Sequence, residues 1–118
     1  MTWQLDHIQL AIPVGGEDRA RAFWIDTLGL KEVTKPEPLQ DRGGLWLLAG
    51  SINIHLGIAD PFVPACKAHP CFAVTNLDDV AHQLSAADCK VAWDDILPGI
   101  KRFFTADPFG NRVEFMQD

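Results

Sequence analysis

The sequence predicts an α+β domain built from two copies of one β-α-β-β-β module. Two observations carry that prediction. The hydrophobic period switches from two to about 3.6 and back to two in the same order in each half. Turn residues punctuate both halves at matching places, and a stretch at 59–68 containing Pro61 and Pro64 separates them as a linker.

Taken in order, Asp6-His7-Ile8-Gln9-Leu10-Ala11-Ile12 alternates as a strand does, and Pro13-Val14-Gly15-Gly16 breaks it. Residues 17–28 carry Ala20, Phe23, Trp24 and Leu28 at helical spacing. Glu17 and Asp18 stand in the first turn and Gly29 just past the end. Strands follow at 31–33, 44–49 and 52–58, which closes a first module over about 3–58. The second module, about 69–117, opens with a strand at 69–74, where Pro70 marks a strand start or an edge. Asn76 can cap a helix running from Leu77 to about Ala87, with Leu77, Val80, Ala81 and Leu84 on one face. Strands at 90–93, 101–105 and 112–116 complete it, and Asp107-Pro108-Phe109-Gly110-Asn111 is a strong hairpin signal. Neither module holds enough core to stand alone, so residues 1–118 are expected to fold as one domain.

Composition narrows the function classes. Hydrophobic residues at 47% and charged residues at 22% describe a globular chain rather than a disordered one. No apolar run approaches the ~20 residues needed to cross a bilayer, and the first residues lack the features of a signal peptide, so a cytoplasmic protein is expected. A net charge of −6 argues against nucleic-acid or anionic-membrane partners; Lys101-Arg102 is the only dense basic stretch. Cys66, Cys71 and Cys89 are an odd count without framework spacing and read as free thiols.

The repeat gives the histidines their meaning. His7 and His69 each stand at the start of a module's first strand, and His55 and Glu114 each stand in its last. The offset that superposes the strands therefore superposes four metal-ligand types. Imidazole and carboxylate suit one divalent ion of zinc, nickel, iron, cobalt or manganese, with zinc or nickel ahead, rather than magnesium or calcium. Taken singly, a strand histidine is more often structural, and Glu114 between Val113 and Phe115 reads as the wet face of an open sheet. Four coincidences outweigh those readings. His82 lies on a helix without a repeat partner and is expected at the surface. Cys66-x-x-His69-x-Cys71 is a competing cluster, but it lacks a second knuckle; Cys71 shares a strand face with His69 and could line the site.

Three stretches carry a family resemblance: Asp6-His7-Ile8-Gln9-Leu10-Ala11-Ile12, the F-W-x-x-x-L-G-L helix end at 23–30, and D-P-F-G-N-R-V-E-F at 107–115. With 52–57 they make nearly the whole chain resemble the vicinal oxygen chelate superfamily, which includes glyoxalases, bleomycin-resistance proteins and extradiol dioxygenases. The resemblance implies paired βαβββ modules curled into a half-open barrel around a metal, with a substrate chelated through adjacent oxygens. It makes His7, His69 and Glu114 ligands, with Glu114 also the proton-shuttling catalytic residue. His55 stands where glyoxalase I enzymes carry a glutamate, so typical glyoxalase I chemistry is not expected. The absence of tyrosine departs from the fosfomycin-modifying members, and His55 would crowd the open position of a dioxygenase.

The resulting expectation is a metal-dependent lyase- or isomerase-like enzyme acting on a small molecule. Arg112, two residues before Glu114 on the same face, could reach an anionic group of the substrate or simply lie at the surface of a turn. Trp46, Phe104 and Cys71 could line the pocket, and loops at 35–43 and 94–99 would set specificity. The resemblance also implies a homodimer. The alternative is a metal-free module that sequesters a cationic aromatic antibiotic, for which an acidic chain with four tryptophans is suited.

Overall fold

Alternating apolar residues build two four-stranded sheets, and the computed structural model describes all residues 1–118. The chain divides into two compact units, Met1–Val63 and Pro64–Asp118. The first contains β1 (His7–Ile12), α1 (Glu17–Arg21), β2 (Lys31–Val33), β3 (Leu45–Ala49) and β4 (Ile52–Ile58). The second contains β5 (Cys71–Val74), α2 (Leu77–Ala86), β6 (Ala92–Asp94), β7 (Arg102–Ala106) and β8 (Arg112–Gln117). The β-α-β-β-β order read from the sequence is present in both.

Topology repeats as well. The strand orders are β1-β4-β3-β2 and β5-β8-β7-β6, each with one parallel pair, β1 with β4 and β5 with β8, and antiparallel neighbours beyond it. Both sheets are open. In the first, Leu45, Leu47, Ile54 and Leu56 alternate onto one buried face, with Ile12, Ala20, Phe23 and Trp24 also buried in this unit. In the second, Phe103, Val113 and Phe115 take that role, and α2 contributes Leu77, Val80, Ala81 and Leu84. The opposite face of each sheet is left for other chemistry.

Several local expectations are corrected. The helix read over 17–28 is α-helical only to Arg21 and continues as a π-helix at Ala22–Thr27, where Leu28 N–H reaches back to Phe23 O at 3.1 Å. The Asn76 side chain makes no cap, and the Gln117 side-chain oxygen accepts from the first helical N–H, that of Leu77, at 3.3 Å. The strand expected at 90–93 is shifted to Ala92–Asp94. The one expected at 69–74 starts at Cys71, so His69 precedes it. Pro70 has no N–H to donate, but its carbonyl accepts from Glu114 N–H at 3.0 Å, which ties the strand entry to β8. The loop at 35–43 contains a 3-10 helix, Glu37–Arg42. Part of the presumed linker is fastened to the hairpin of the second unit: Ala65 N–H donates to Asn111 Oδ1 and Ala65 O accepts from Arg112 N–H, both at 2.9 Å. That hairpin is held by Asp107, whose carboxylate accepts from the N–H groups of Phe109 and Asn111 and from Asn111 Nδ2. No helix is long and apolar enough to cross a membrane.

Candidate functional site

In the first unit, the register of β1, β4 and β3 sets His55 between Gln9 and Trp46, with His7 opposite Asn53. Side chains at these positions share the face away from the core. Three rings stack in a row: His7 on His55 with centroids 4.1 Å apart, and His55 on Trp46 at 3.9 Å and only 3° from parallel. Loss of hydration, and then the neighbouring His7, lower the pKa of His55 and favour its neutral, metal-binding form. The Asp6 carboxylate lies 2.8 Å from His7 Nδ1. A carboxylate can only accept, so it fixes the proton on Nδ1 and leaves the Nε2 lone pair available.

A cavity of 760 Å³ opens beside these rings, lined by His7, His55, Trp46, Gln9, Lys35 and Arg42 among others. The 3-10 turn forms its wall because both ends are fastened. Lys35 Nζ donates to Gly43 O, and Gly44 N–H donates to Glu17 Oε2 at 3.1 Å. Gly44 is required there: its φ is +78°, and a Cβ would stand 2.1 Å from Leu56 O.

The second unit places the equivalent positions in a charged setting. His69 Nδ1 lies 2.9 Å from the Lys67 carbonyl, which again puts the proton on Nδ1. Its Nε2 faces Glu114 Oε1 at 2.9 Å. Two lone pairs at that distance repel, so the contact is attractive only with a proton or a metal cation between them. Glu114 is 7% exposed, and its Oε2 accepts from an Arg102 terminal nitrogen at 3.2 Å. The other terminal nitrogen of Arg102 reaches Asp94 at 3.3 Å, while its Nε is buried without a partner. Burial works to raise the Glu114 pKa, but hydrogen bonds from His69, Cys71 and Arg102 and the Arg102 charge together hold it below the usual carboxylate value.

The other expected site residues fall as follows. Cys71 pairs with Glu114 across the β5–β8 register, and lost hydration of the thiol followed by the Glu114 charge pushes its pKa up to about 11, although the residue as a whole is exposed. It stays protonated and is a poor nucleophile. Phe104 meets His69 edge-on at 5.5 Å. Arg112 has its guanidinium carbon over the Phe104 ring, 4.0 Å from the centroid, and forms no ion pair with Glu114 despite the shared face. Arg102, which the sequence reading passed over as part of a basic dipeptide, makes that contact. Its signal was available in outline, since Arg102 and Phe104 are two apart on one strand and so share a face. Asp6, beside His7, was likewise missed. Cys66, Cys71 and Cys89 are free, and His82 is exposed.

Each pair of donors has the chemistry of a metal ligand pair: engaged Nδ1 atoms on His7 and His69, a neutral imidazole at His55 and an ionised carboxylate at Glu114. No group of three or more His, Cys, Asp and Glu side chains in this chain is arranged as a metal site.

A family model for the Glyoxalase/Bleomycin resistance protein/Dioxygenase superfamily matches residues 4–115. A glyoxalase family protein from Bacillus anthracis is 43% identical, with a TM-score of 0.95 over 100% of this chain and 97% of its own. The fosfomycin resistance protein FosX from Listeria monocytogenes shares the fold at 15% identity, with a TM-score of 0.80 over 100% of this chain and 95% of its own. A lactoylglutathione lyase from Agrobacterium tumefaciens does so at 21% identity, with a TM-score of 0.68 over 93% and 91%. No curated protein matches the chain.

Proposed function

Because the chain belongs to the Glyoxalase/Bleomycin resistance protein/Dioxygenase superfamily, we propose that it is a metal-dependent enzyme, lyase- or isomerase-like, acting on a small substrate with two adjacent oxygens. The donors in this reading are His7, His55, His69 and Glu114, two from each unit, and the chain works as a homodimer. The observation that carries it is the convergence of two ligand-type atoms, His69 Nε2 and Glu114 Oε1, 2.9 Å apart, with Nδ1 of the same ring turned to Lys67 O. A divalent ion bound there, zinc or nickel first, would supply Lewis acidity to polarise the oxygens of the substrate.

The remaining chemistry belongs to the chain's own side chains. His69, Cys71 and Arg102, the last on Oε2, keep the Glu114 carboxylate ionised, the form that can receive and return a substrate proton. Arg112 sits over Phe104 and forms no ion pair, so its guanidinium charge is available to meet an anionic group. His55, in place of the glutamate of glyoxalase I enzymes, removes one of the two carboxylates that reaction uses and sets this chain apart from it. Metal-free sequestration of a cationic drug is disfavoured by Lys35 and Arg42 on the cavity wall.

Elemental analysis of the purified protein after dialysis tests the proposal. Stoichiometric transition metal is expected, with His69→Ala and Glu114→Gln each abolishing it. Asp6→Asn should weaken metal affinity by about tenfold. Lys67→Ala should leave it unchanged, because the acceptor on His69 is a backbone carbonyl. Wild-type protein that stays metal-free after incubation with micromolar zinc or nickel would overturn the reading.

A further inference from the structure

The 760 Å³ cavity of the first unit has a charge opposite to that of the protein around it. The chain carries a net −6, yet the cavity wall holds two cations, Lys35 and Arg42, against one carboxylate, Asp6. Asp6 is already committed to His7 at 2.8 Å. Lys35 uses one of its three donors on Gly43 O, and Arg42 forms no ion pair. The amides of Gln9 and Asn53 add polar groups, while Leu39 and the Trp46 ring add apolar surface. Other acids of the cavity loop, Glu37 and Asp41, are exposed and do not line the cavity. Glu17, which approaches Gly43, is occupied by the Gly44 N–H. Low-dielectric walls and two unspent cations focus a positive field in this recess.

We propose that the cavity takes a small organic acid, its carboxylate read by Lys35 and Arg42 and its apolar body set against Leu39 and the edge of Trp46. This rests on the enzyme reading above and adds the substrate class: the anionic end is held by the loop at 35–43, and the oxygens to be activated are directed to the stacked His7 and His55. The loop is pre-shaped for this, since Gly44 and its bond to Glu17 fasten the segment that carries Arg42. Binding then orders few groups, and the cost in conformational entropy stays low.

Three probes of one shape, benzoate, benzamide and benzylammonium, separate charge from packing. Titrated by NMR into metal-free protein, benzoate should bind at least tenfold more tightly than either of the others and should shift Lys35, Arg42 and Trp46 resonances. Raising the salt concentration should weaken benzoate alone. Arg42→Gln, an exposed change, should lower benzoate affinity about tenfold without moving benzamide, and Lys35→Gln should act in the same direction. Equal binding of the three probes, a preference for benzylammonium, or an unchanged benzoate affinity in both variants would overturn the proposal. Metal content of the same preparation is read separately. Benzoate preference without metal uptake on reloading would sink the enzyme reading and leave the anion site, and metal uptake without benzoate preference would do the reverse.

Discussion

The two units share topology and register, yet their polar faces are made of different physics. Trp46, His55 and Gln9 in the first occupy the places of Phe104, Glu114 and Cys71 in the second. In the first unit the contacts are ring on ring, the central imidazole is neutral, and a cavity stands open beside it. In the second they are ion pairs and hydrogen bonds around a carboxylate that is nearly buried. One scaffold thus holds a stacked pair of imidazoles in one unit and an imidazole–carboxylate pair tied to an arginine in the other. The lesson is that the backbone ladder fixes where ligand positions stand, and the neighbours two residues away decide what those positions can do.

Three tests probe that comparison, from the largest effect to the smallest. Phe103 and Leu45 stand at matching places beneath the two faces, 0% and 2% exposed. Phe103→Ala should cost about 3–5 kcal/mol and Leu45→Ala about 2–5 kcal/mol in denaturant unfolding. A loss below about 1 kcal/mol at either position would mean that one unit is not packed as described.

Acid stability should separate the units by pH. His55 has its folded pKa below the ordinary 6.5, so the unfolded chain takes the proton first. Its contribution is complete above 6.5 and is lost as the pH falls from there through the folded value. Glu114 is also depressed, below the ordinary 4.5, so its contribution persists to lower pH and is lost only as the pH falls from 4.5 through its folded value. Melting temperature of metal-free protein against pH should therefore decline in two limbs. His55→Gln should erase the upper one and Glu114→Gln the lower; a single limb insensitive to both variants would contradict the assignment.

The smallest effect concerns Thr105, whose hydroxyl is buried without a partner where the first unit has Leu47. Thr105→Val should stabilise the protein by about 1 kcal/mol, read as a shift of the unfolding midpoint at constant slope. A destabilisation would show that the hydroxyl has a role in unit two that Leu47 does not share.

Much of the fold was legible because hydrophobic period and turn chemistry are local. The strand at 52–58 was read residue for residue, and the hairpin at 107–111 from its Asp, Pro, Gly and Asn. His69 was misplaced by two residues because Pro70 withdraws a donor and delays the ladder without ending the extended chain. Asn76 takes the N-cap position without a side-chain bond, while the distant Gln117 side chain meets the first helical N–H, that of Leu77.

The sequence by itself determined the duplicated module, the family and the four residues of ligand type, since each depends on spacing along one strand. Only the tertiary structure decided that Arg102 rather than Arg112 meets Glu114, that Asp6 and Lys67 O orient the two histidines, and that Lys35 and Arg42 face one cavity. The first joins two strands whose register is set by packing of the buried face. The others lie within short segments, where a residue's neighbours are legible but the direction of its side chain is set by the fold around it.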